Sequence, residues 1–107
     1  MSESQHQSVT PEETLKAKLN METASINWLE LQRYFAAGRV VHVSQGADLV
    51  EVALQLSLDN KDRFQEWIAG GVVSGVTEEQ AQQWYDEKAD LWAVVVAPWV
   101  LVQEHTD

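Results

Sequence analysis

Cysteine is absent from all 107 residues, which removes disulfides, thiolate metal sites and cysteine nucleophiles in one step. Positive charge is scarce. Seven lysines and arginines stand against 17 acidic residues, a net charge of −10, and from Thr77 onward Lys88 is the sole base among seven acids. A field of that sign repels phosphate backbones, so nucleic-acid binding is not expected. Long apolar runs are missing too. The longest, Leu91 to Val102, has 12 residues and contains Pro98, whereas a spanning helix needs about 20. Membrane insertion is therefore not expected. The N terminus lacks the basic segment and apolar stretch of a secretory signal, and a cytoplasmic location follows as the expectation. Enzyme signatures are equally lacking: there is no G-x-S-x-G elbow, P-loop, dinucleotide glycine fingerprint or H-E-x-x-H.

What is present is enough to build one core. Apolar residues make up 45% of the chain and five are tryptophan, and no linker-like stretch divides it, so a single domain is expected. Residues 1–9 are rich in Ser, Gln and Glu and should be disordered, as should 104–107. A unit appears twice. Tyr34-Phe-Ala-Ala-Gly-Arg-Val-Val-His-Val-Ser44 recurs as Trp67-Ile-Ala-Gly-Gly-Val-Val-Ser-Gly-Val-Thr77. Each copy reads as a helix end, a glycine stop, a short apolar strand and a hydroxyl residue ahead of the next helix. Two copies fall short of a solenoid.

Helix starts are well marked. Thr10-Pro11-Glu12-Glu13 and Thr77-Glu-Glu-Gln80 carry the capping-box pattern, and Asn27, Asp48 and Asp59 or Asn60 supply caps for three more helices. The helix after Asp48 is apolar nearly all round and should be the most buried. Leu31/Tyr34/Phe35, Phe64/Trp67/Ile68 and Ala81/Trp84/Tyr85 form stripes at helical spacing, which read as core packing. Strands are expected over Arg39–Ser44, Val72–Val76 and Leu91–Gln103, the last split by Pro98. The fold class is α+β: four or five short helices on a small sheet of three or four strands, one domain over residues 10–103. Because Leu91–Val102 is apolar on both faces, it must be covered centrally or across a homodimer interface.

Candidate chemistry centres on His42, since His6 and His105 lie in the expected tails. His42 with Asp48 and Glu51 could form a carboxylate-oriented imidazole or a metal site, although Asp48 and Glu51 also read as a cap and its N3 partner. Arg33 and Arg39 flank Gly38 and could clasp a carboxylate. Trp28 and Trp99 are candidate interface anchors. Gly70-Gly71 is no phosphate loop, because Glu78 and Glu79 in the helix that follows would oppose an anion.

The run Trp28-Leu-Glu-Leu-Gln-Arg-Tyr-Phe-Ala-Ala-Gly-Arg-Val, the segment Asp48-Leu-Val-Glu-Val-Ala53 and the ending Leu91-Trp-Ala-Val-Val-Val-Ala-Pro-Trp-Val-Leu-Val-Gln103 resemble a bacterial domain-of-unknown-function family, number 2288. The resemblance covers about Leu15 to Gln103 and implies a short cytoplasmic bacterial protein. It brings no catalytic residue, cofactor or partner. Two functions remain from the residues: a small acidic protein-interaction domain that self-associates, with acidity attracting a basic protein or imitating DNA, or an enzyme or sensor with a small-molecule or metal site at His42, Asp48 and Glu51. The first, a binding role with no cofactor, is the preferred expectation.

Overall fold

Local side-chain chemistry sets the helix starts. In this computed structural model, which describes residues 10–105, helix α1 (Pro11–Glu22) begins behind a reciprocal cap. Thr10 Oγ1 accepts from the Glu13 N–H at 3.0 Å, and Glu13 Oε1 accepts from the Thr10 N–H at 3.1 Å. Asn27 caps α2 (Trp28–Ala36), Asp48 caps α3 (Leu49–Ser57) and Asn60 caps α4 (Lys61–Ala69). Thr77 and Gln80 repeat the capping box at α5 (Glu78–Glu87). Glu51 does not return to Asp48 as an N3 partner: Gln55 and Lys16 hold its carboxylate instead.

Four helices end in the same pair of bonds. At the end of α2 the Arg39 N–H reaches Tyr34 O at 2.9 Å and the Gly38 N–H reaches Phe35 O at 2.9 Å; at α4 the matching bonds are Val72 to Trp67 and Gly71 to Ile68. Asn60 to Gln55 with Asp59 to Leu56 closes α3, and Ala89 to Trp84 with Lys88 to Tyr85 closes α5. This is the Schellman motif, with its left-handed residue at Gly38 (φ 74°), Gly71 (78°), Asp59 (57°) and Lys88 (50°). The unit written twice thus shares a helix stop that this fold also makes without glycine. The copies differ downstream: Thr77 caps α5, but Ser44 caps nothing, and three further residues precede the Asp48 cap.

The five strands are β1 (Ala24–Asn27), β2 (Val40–Val43), β3 (Val73–Gly75), β4 (Asp90–Val96) and β5 (Trp99–Glu104), in the order β1-β4-β5-β2-β3. Only β2 and β5 run parallel. The count exceeds the expected three or four because β1 is too short and polar to show a strand pattern; its place is fixed by pairing with β4. Pro98 divides the C-terminal run as expected, through a cis Ala97–Pro98 peptide in the two-residue β4–β5 turn.

Glu104 and His105, expected in a disordered tail, are instead ordered. Glu104 closes β5, and His105 stacks on Trp92 with ring centroids 4.4 Å apart. Residues 106–107 and the expected tail over 1–9 lie outside the described residues.

The Leu91–Val102 run occupies the middle of the sheet, with helices on both sides. Alternation along β4 and β5 sends Val94 and Leu101 to a core with Leu19 of α1, Leu49, Val52 and Leu54 of α3, and Phe64 and Trp67 of α4. Leu91, Ala93, Val100 and Val102 point the other way, onto Trp28 and Leu31 of α2 and Ala81 and Trp84 of α5. Helix α3 is the most buried, as its all-round apolar pattern predicts, with Leu49, Val52, Ala53 and Leu54 inside.

Candidate functional site

Helices α2 and α5 lie on one face of the sheet and are tied together at one end. The Trp28 N–H donates to Ala89 O at 2.8 Å, and Asn27 Nδ2 donates to Lys88 O at 2.8 Å and to Asp90 Oδ1 at 3.0 Å. Asn27 Oδ1 meanwhile accepts from the Leu29 N–H, capping α2. One side chain therefore starts α2 and fastens it to the end of α5.

Between the two helices runs a cleft of about 380 Å³ lined by Trp28, Gln32 and Phe35 of α2 and by Glu78, Ala81, Gln82 and Tyr85 of α5. Both sets follow helical spacing: i, i+4, i+7 on α2, and i, i+3, i+4, i+7 on α5, which puts each on one face. The small Ala81 side chain leaves room that its aromatic neighbours do not fill. Trp28 is fully buried, with its ring 5.1 Å from Trp84 in an edge-on contact and 5.7 Å from Phe35. Tyr85 is 49% exposed. Among the described residues the Trp28 Nε1–H has no hydrogen-bond partner, and an unsatisfied buried donor costs about 1–3 kcal/mol.

Among the described residues, α5 contributes Glu78, Glu79, Asp86 and Glu87 and no base. Gln82 and Gln83 donate to Asp86 and Glu87 one turn on. No basic side chain among the described residues pairs with Glu78 or Glu79.

His42, Asp48 and Glu51 do not converge. His42 Nε2 bonds Glu104 Oε1 at 2.7 Å and the ring lies 5.9 Å from Trp84, on the α2/α5 face. Asp48 spends a carboxylate oxygen on the Val50 and Glu51 N–H groups at the head of α3. Among the described residues no group of three His, Asp or Glu side chains is placed to hold a metal. Asp48 and Glu51 border a different cleft, of about 350 Å³, with Ser44, Arg63 and Trp67. There the Gln55 hydrogen bond, then Lys16 at 3.2 Å and Arg63, hold the Glu51 carboxyl below its ordinary value, against the opposing effect of burial.

The other candidates separate as well. Arg33 lies over the Tyr34 ring and donates to its hydroxyl, so it is engaged within α2. Arg39 is exposed beyond Gly38. Trp28 is interior, while Trp99 is 38% exposed beside the β4–β5 turn. Gln32, Phe35, Glu78, Gln82, Tyr85 and Glu104 were not singled out as site residues by the sequence. The helical spacing of the first five was legible, but which helices face each other was not.

The solution NMR structure of PA1075 from Pseudomonas aeruginosa is similar to this chain, with 44% identity and a TM-score of 0.77 over 100% of this chain and 93% of that one. No curated protein matches. The model of a family described as a protein of unknown function, DUF2288, matches residues 14–104. Nearly the whole domain lies within that match, and the chain belongs to the DUF2288 family.

Proposed function

We propose that this chain is a small acidic cytoplasmic protein-interaction domain that engages a partner through the face formed by α2 and α5. The observation carrying the reading is the combination on α5 of four acidic side chains, no base and a half-exposed Tyr85 beside an aromatic-floored cleft. Unpaired charge of one sign steers association and selects partners of the opposite sign, while a tyrosine at the surface supplies contact area at low entropic cost.

Affinity capture tests it. The chain and a variant with Glu78→Gln, Glu79→Gln, Asp86→Asn and Glu87→Gln are immobilised and challenged with the same bacterial lysate. Proteins retained by the first and lost from the second support the reading; identical recoveries, or none, contradict it.

Self-association is the accompanying reading. It rests on Trp92 and Trp99, which stay 40% and 38% exposed on the same face of strands that are otherwise largely interior.

A further inference from the structure

The cleft between α2 and α5 combines features that specify an occupant. Its floor is aromatic, from Trp28 and Phe35, and Tyr85 offers a further ring at the surface. Glu78 brings a carboxylate, and Gln32 and Gln82 bring amides that both donate and accept. An aromatic floor beside a carboxylate favours a cation, which gains from ring quadrupole and ion pair together. Elsewhere the chain makes such contacts with its own bases: the Arg33 guanidinium carbon lies 4.9 Å from the Tyr34 centroid, and that of Arg63 lies 5.0 Å from the Trp67 centroid. Among the described residues no arginine or lysine lies over Phe35 or Tyr85.

We propose that the α2–α5 cleft receives an arginine or lysine side chain carried by a peptide segment of the partner, with Glu78 as its counter-ion and Tyr85 as its aromatic contact. A peptide is favoured over a bare amine because the lining is mixed. Gln32 and Gln82 in that lining carry amides that can pair with a peptide backbone beside the cation. The charge of the chain, −10, draws such a segment in. This assignment rests on reading the chain as a protein-interaction domain, and names the site and the chemistry of what it binds.

Nitrogen-15-labelled full-length protein is titrated with a capped octapeptide of alternating arginine and glycine, with the glutamate-for-arginine counterpart as control. The expected result is a saturable shift of the Trp28 indole resonance and of the Gln32 and Gln82 amides with the arginine peptide alone. Glu78→Gln and Tyr85→Ala should each weaken binding by about five-fold or more. Both positions are exposed, so folding is preserved. Glu66→Gln, an equal charge change on α4, should leave the affinity within about two-fold. Shifts centred elsewhere, or equal losses in all three variants, would overturn the cleft assignment while leaving an acidic interaction domain in place. Absence of binding overturns it too, and the lysate capture then decides the broader reading separately.

Discussion

Asn27 and Asp90 face each other across the β1–β4 pair, with Asn27 Nδ2 3.0 Å from Asp90 Oδ1, and the same Nδ2, bonded to Lys88 O, joins the start of α2 to the end of α5. The cleft takes its shape from that junction. Asn27→Ser keeps a hydroxyl cap on α2 but loses the bonds to Lys88 and Asp90. The expected cost is about 1 kcal/mol, rising to about 2 kcal/mol for Asn27→Ala, which loses the cap as well. Urea titration of the two variants measures the difference. An Asn27→Ser variant as stable as the natural chain would mean that the bridging bonds contribute nothing, and equal costs for the two variants would mean the same of the cap.

The His42–Glu104 pair spans the parallel β2 and β5 strands. An imidazole N–H to a carboxylate is a charge-assisted bond, here partly exposed at Glu104, so a coupling of about 1 kcal/mol is expected in a double-mutant cycle with His42→Gln and Glu104→Gln. Coupling near zero would make the contact incidental.

Glu51 gives a pH signature. Its folded-state pKa lies below its ordinary value of 4.5, chiefly through Gln55 and then Lys16 and Arg63. A depressed carboxylate contributes stability that is fully present above its unfolded pKa and is lost as pH falls through the folded one. Relative to Glu51→Gln, the natural chain should be more stable at neutral pH, and the gap should close as pH drops below about 4.5. Melting curves from pH 7 to pH 3 check this; a gap that widens on acidification contradicts the sign.

Self-association through Trp92 and Trp99, which share one face of the β4–β5 pair, predicts a dimer mass by light scattering at micromolar concentration, and a monomer for Trp92→Ser with Trp99→Ser. A natural chain that scatters as a monomer removes the reading. Burial of the Leu91–Val102 core no longer requires a dimer, because α1, α3 and α4 cover one face and α2 and α5 the other.

The legible parts of the fold were those written within a few residues. Caps at Thr10, Asn27, Asp48 and Thr77 and stops at Gly38 and Gly71 depend on contacts two to five positions away, and those elements lie where the sequence indicates. Strand β1 was hidden because Ile26 becomes a strand residue by pairing with Leu91, far along the chain. The same distance hid the partner of His42: Glu104 lies 62 residues on, while Asp48 and Glu51, near in sequence, belong to the head of α3. The cleft shows the division most clearly. The stripes of Trp28 to Phe35 and Glu78 to Tyr85 can each be read, but their apposition follows from the sheet order that puts both helices on one face.

The most direct test of the central claim is amide hydrogen exchange of the chain, alone and saturated with the partner recovered by affinity capture. Slowed exchange concentrated in residues 28–36 and 78–87 on binding is the predicted result. Protection confined to other parts of the chain would contradict it.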